Sequence, residues 1–88
     1  MKFLLDNERG WIGASKFFDA LVRLNINPNL YVLPVPFIFS PEELIYYTES
    51  ILNDLKNYPR ESEEVHYLRQ ICKSLHSWAS DGRIVHVV

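Results

Sequence analysis

The sequence predicts one small α/β domain spanning residues 1–88, with a three-stranded, mainly parallel sheet and three helices in the order β-α-β-α-α-β. Three observations carry this expectation. The apolar pattern switches along the chain between short β-type runs and stripes of helical period. Helix-start signals stand at Ser40-Pro41-Glu42-Glu43 and Ser62-Glu63-Glu64. The chain is 48% hydrophobic and 23% charged, the balance of a folded domain and too apolar for a disordered one.

Residues 2–5 form a short apolar run closed by Asp6-Asn7, a first strand. Ala14, Phe17, Phe18, Leu21 and Leu24 then recur at helical spacing and predict a helix over residues 12–25, ended before Pro28. Residues 30–39 are rich in β-formers, but Pro34 and Pro36 remove amide donors from the same side. That pattern predicts an edge strand, leaving open whether a second copy covers it. Ser40 as N-cap, Pro41 at the first helical position and Glu43 closing a capping box start the next helix, which ends at Tyr58-Pro59. The third helix carries Val65, Leu68, Ile71, Cys72, Leu75, Trp78 and Ala79 on its apolar stripe and stops at Asp81-Gly82. Residues 83–88 alternate as a final strand, and the strands at the two chain ends are expected to lie inside the sheet.

The chain holds one cysteine, Cys72, so it has no internal disulfide and no cysteine pair for zinc. No stretch of about 18 apolar residues, the length a membrane helix needs, is present. A reducing, cytoplasmic setting without membrane contact is the expectation, with no cofactor and no metal. Gly10-Trp11-Ile12-Gly13-Ala14-Ser15-Lys16 sits where phosphate loops occur, but a P-loop needs four residues between its glycines and then Lys-Ser/Thr. A tight strand-to-helix turn is the reading. Cys72, in mid-helix, lacks the helix N-terminus that would activate a nucleophile, and only His76, four residues on, stands within a helix turn of it. Carboxylate chemistry needs a partly dry cleft, for which three short strands leave little room. The chain is therefore expected not to be an enzyme.

The net charge of −2 is unevenly spread. Seven carboxylates against Lys56 and Arg60 make residues 41–64 carry −5, whereas residues 65–88 carry +2. Glu42, Tyr46, Glu49 and Asn53 share one side of the second helix, with Glu43, Ser50 and Asp54 beside them. A carboxylate face with an aromatic in it suits a basic protein surface, the charges steering encounter and the ring anchoring it. For acid/base chemistry Asp6, Glu8, Glu42, Glu43 and Glu49 would be the candidates, since loops after the first two strands of a parallel sheet open at the same end, but their expected role is as caps and solubilising charges. Asp6, Glu8 and Trp11 also join the candidate partner-binding set. The expected function is a non-enzymatic inhibitor, of immunity, antitoxin or phage anti-defence type. Its partner would be a protein with a basic surface: a nuclease, toxin or defence complex. The alternative is a small nucleic-acid-binding regulator using His66, Arg69, Lys73 and His76 on the third helix, although four such groups are few for a phosphate contact set.

The layout resembles that of the barstar family of intracellular ribonuclease inhibitors in length, in the strand at each terminus, in the helix after the first strand, and in the helix pair before Gly82-Arg83-Ile84-Val85-His86-Val87-Val88. The resemblance implies a nuclease-inhibiting function. That family places its nuclease-binding carboxylates on an acidic helix between the first helix and the second strand. Here Asn25 to Asn29 occupy that interval, so no site residue carries over.

Overall fold

The computed structural model describes residues 1–6 and 9–88. In chain order the elements are β1 (Lys2–Leu5), β2 (Trp11–Gly13), α1 (Ser15–Arg23), the single turn α2 (Pro28–Tyr31), β3 (Phe37–Phe39), α3 (Pro41–Leu55), α4 (Glu63–Ser80) and β4 (Val85–Val87). The four strands form one sheet in the order β2-β1-β4-β3, and every neighbouring pair is antiparallel. This overturns the expected three-stranded, mainly parallel sheet with three helices, and the barstar-like layout with it.

Two physical reasons account for the difference. The first is a strand hidden in the predicted start of the first helix. Leu5 N–H donates to Gly10 O at 2.9 Å and closes a hairpin, so Trp11, Ile12 and Gly13 pair with Leu4, Phe3 and Lys2 before α1 begins at Ser15. Gly10 lies close under Leu5: a Cβ there would stand 3.0 Å from Leu5 Cδ1, so a larger residue would make the Leu5 side chain shift. The second reason is parity. The antiparallel helices α3 and α4 carry the chain away from the end of β3 and back again, so β4 must run opposite to β3. Phe39 accordingly faces Val85, and Phe37 faces Val87. A single crossover helix would have made the pair parallel.

The predicted strand over residues 30–39 shrinks to Phe37–Phe39 at the sheet edge. Asn27 takes a left-handed conformation (φ 37°) and Pro28 follows at the first helical position, which starts the turn α2 instead of a strand. The helix starts at Pro41 and Glu63 agree with the sequence. Ser40 Oγ accepts from Glu43 N–H at 3.2 Å, Ser40 N–H donates to Glu43 Oε1 at 3.0 Å, and Ser62 Oγ accepts from Val65 N–H at 3.3 Å. Gly82, at φ 77°, ends α4 in the region that favours glycine.

Alternation along the strands divides the sheet. Phe3, Leu5, Val85, Val87 and Phe39 are buried and face the helices. Phe3 packs with Phe17 and Phe18 of α1, ring centroids 5.4 and 5.6 Å away. Between α3 and α4, Leu44, Ile51, Leu55, Leu68, Cys72 and Leu75 are completely buried. Thr48, the buried polar residue at this seam, donates its hydroxyl to Leu44 O at 2.9 Å, so its desolvation is offset. Among the described residues no helix packs on the opposite face of the sheet. By register, Trp11, Leu4, His86 and Ile38 form one row across it. Trp11 and Ile38 are each 59% exposed.

Truncating the α3–α4 seam removes packed volume that its neighbours cannot refill. Leu75→Ala should cost roughly 2–5 kcal/mol in denaturant unfolding, whereas Val22→Ala, on the exposed side of α1, should stay within about 0.5 kcal/mol.

Candidate functional site

The amphipathic stripe of α3 determines what its other side displays. With Leu44, Tyr47, Ile51 and Leu55 turned inward, Glu42, Tyr46, Glu49 and Asn53 all stand exposed on the outside. Tyr46 is 76% exposed and its hydroxyl makes no hydrogen bond within the chain among the described residues. The carboxylates beside it differ in what they do. Glu42, in the first turn, makes neither a hydrogen bond nor an ion pair among the described residues. Glu43 closes the capping box, and the Ser40 backbone N–H, followed by the Ser40 hydroxyl, holds its carboxyl below the ordinary glutamate range. Glu49 Oε2 meets His76 Nε2 of α4 at 3.1 Å.

Asp54 is committed to the fold. Its Oδ2 accepts from Tyr31 Oη at 2.5 Å and from Asn27 Nδ2 at 3.0 Å, tying α2 to α3. Tyr47 Oη donates to Tyr31 O at 2.6 Å from within the core, so the turn is held from two sides. Burial, and after it the hydrogen bond to Asp54, pushes the Tyr31 hydroxyl far above its ordinary pKa. Tyr31 therefore serves as a neutral donor.

Of the alternative set on α4, His66 and Lys73 are exposed and Arg69 and His76 are half-buried. His76 uses one ring nitrogen toward Glu49 and the other toward Ser80 Oγ at 3.4 Å. A carboxylate thus stands inside the candidate cationic face. The same contacts occupy both ring nitrogens of His76, so neither is left for Cys72. That thiol is fully buried, and burial pushes it up to about 12, Arg69 opposing the rise by less.

Asp6 pairs with Arg83 at 3.2 Å, and Glu8 lies outside the described residues. Since β1 and β3 are both antiparallel to β4, they run in the same direction. Asp6 and Ser40 therefore leave the sheet at the same end, two strand spacings or about 10 Å apart. Trp11 belongs to another surface. It lies on β2, at the sheet edge opposite β3, with Lys2 Nζ 4.8 Å from its ring centroid.

The structure adds a feature that residue-by-residue reading passed over. Between α3 and the segment leading into β3 runs a half-open groove of about 260 Å³, walled by Leu30, Leu33, Phe37 and Tyr46, with Glu43 and Ser50 as its polar rim. Leu30 is 65% exposed. A sequence signal for it exists: residues 24–41 contain no Asp, Glu, Lys, Arg or His. A strand over residues 30–39 assigned these apolar residues to a core, when part of them stands in solvent. Depletion of charge together with aromatic enrichment is the composition of interface centres.

No group of three or more His, Cys, Asp and Glu is placed to hold a metal among the described residues, and no described helix is long and apolar enough to cross a membrane. Comparison with protein-family models, curated proteins and solved structures returns no match.

Two measurements check these local assignments. Glu43 has a depressed pKa in the folded state, so its stabilisation is complete above the ordinary glutamate value near ~4.3 and is lost as pH falls below it. Urea unfolding should therefore show wild type losing ground to Glu43→Gln, whose amide keeps the cap, between about pH 6 and pH 3. Cys72 should resist a thiol-disulfide reagent at neutral pH in the native protein and react stoichiometrically in denaturant.

Proposed function

We propose that the chain is a non-enzymatic inhibitor, of immunity, antitoxin or anti-defence type, that covers a basic site on a nuclease, toxin or defence complex with the outer face of α3. The observation that carries this reading is Tyr46: a large aromatic side chain exposed on α3, one helical turn from Glu42, which is unpaired among the described residues, and beside an apolar groove. Folding alone gives no return for that placement, because an exposed helix position is as well served by Lys, Gln or Glu. Against a partner, Tyr supplies contact area at low conformational cost, and Glu42 and Glu49 supply the field that draws a basic surface in. The acidic charge of residues 41–64 supports the same reading. The cationic set on α4 is weakened as a phosphate surface by Glu49, whose carboxylate meets the His76 ring, one of its four members, at 3.1 Å.

The test is capture by the tagged full chain, with cross-linking, from the cells that produce it. One basic protein should be recovered by wild type. Tyr46→Ala should weaken its binding by more than about 30-fold, the loss of a hot-spot residue. Glu42→Lys should lower the association rate and its salt dependence, and Lys73→Glu should change neither. Recovery of nucleic acid, lost with Lys73→Glu and falling steeply with salt, would replace this reading with the alternative one.

A further inference from the structure

We propose that the groove beside α3 is an anchor site for one apolar side chain of the partner, presented by a segment in which lysine or arginine stands next to that residue. This rests on the reading of α3 as the partner-binding face and adds which chemistry the face selects. Size is the first argument. At about 260 Å³ the groove is smaller than the ~300–1,000 Å³ of sites built for drug-sized molecules, and it is half open, so a protruding side chain fits it better than an enclosed metabolite.

Lining is the second argument. Leu30 and Phe37 on one wall and Tyr46 on the other offer apolar surface that water covers poorly, and an apolar side chain between them removes that surface from solvent. Charge is the third. The wall drawn from residues 24–41 holds no ionisable side chain of either sign except the tyrosine hydroxyl, which stays neutral, so the sign of the rim is set by Glu43. Glu43 offers a fixed acceptor. Its Oε1 is held by the Ser40 backbone N–H at 3.0 Å, which fixes the carboxylate at the rim. A carboxylate fixed in this way meets a cationic donor at little further entropic cost. An acidic segment would be repelled by Glu43 and by Glu42 beside it.

The full-length chain, labelled with nitrogen-15 and titrated with three ten-residue Gly/Ser peptides, tests this. One peptide carries Leu between two Lys, the second has that Leu replaced by Ala, and the third has both Lys replaced by Glu. The first should shift the amides of Leu30, Phe37, Tyr46 and Ser50, and each replacement should weaken binding about tenfold or more. Leu30→Asp should abolish the shifts with an unchanged circular dichroism spectrum. Glu43→Gln, which keeps the cap, should retain binding of the Leu peptide but lose most of the preference for Lys over Glu. Three results overturn the proposal: shifts confined to the bare sheet face or to α4, affinities indifferent to the peptide's charge, or a dimer of this chain that Leu30→Asp dissolves. If partner capture still depends on Glu42 while Leu30→Asp leaves it intact, the anchor site falls and the inhibitor reading stands. If capture is indifferent to Glu42 and Tyr46 while the peptides still bind, the reverse holds.

Discussion

The described residues build two layers, one sheet and the helices packed on one side of it. At 88 residues folding buries only a little over ~60% of the surface that the unfolded chain exposes, and the buried part of the sheet lies on one side of it. Phe3, Leu5, Val85, Val87 and Phe39 point one way, and all three long helices gather there. The row Trp11, Leu4, His86 and Ile38 is what the other side receives. The surface of α3 follows from the same limit. With no third layer over it among the described residues, the helix buries one stripe and leaves Glu42, Glu49 and Tyr46 exposed.

The strongest local organisation lies where charge is absent. Between Leu24 and Pro41 the chain has no ionisable side chain other than Tyr31, and neither a long helix nor a long strand holds it. It is held by polar contacts from outside. Asp54 grips Tyr31 and Asn27, Tyr47 grips the Tyr31 carbonyl, and Tyr58 Oη donates to Asn25 O at 3.4 Å. Each contact comes from α3 or the residues just after it, so the apolar wall and the acidic face keep a fixed relation. Asp54 was expected to work at the interface, and its observed bonds give it a positioning role behind that interface.

Much of the fold was legible from single residues with strong local physics. The capping box at Ser40 and Glu43, the cap at Ser62 and the stop at Gly82 depend only on neighbours in sequence, and each appears where it was expected. The sheet was not legible in the same way. β2 has three residues, of which only Ile12 turns inward, too few to display alternation. Strand direction is a property of pairs, and β1 meets β4 across some eighty residues of sequence. One part of it was available: two consecutive helices before the last strand return the chain to its starting end, which favours an antiparallel neighbour. The acidic face of α3 was readable because it follows helical period. The groove was not, because its walls come from a segment whose two prolines fit an edge strand and a loop equally well.

The placement of β4 also bears on how the molecule comes into being. It lies between β1 and β3, so the last of these four strands in chain order supplies the partner for both. Without it, β1 of the hairpin and β3 each present an unpaired edge, since neither pairs with the other. The helices α3 and α4 pair locally and can assemble earlier, since contacts between sequence neighbours close small loops. A nascent chain would thus carry a preformed helical pair and two waiting strand edges, and closure of the sheet would come in a single late step.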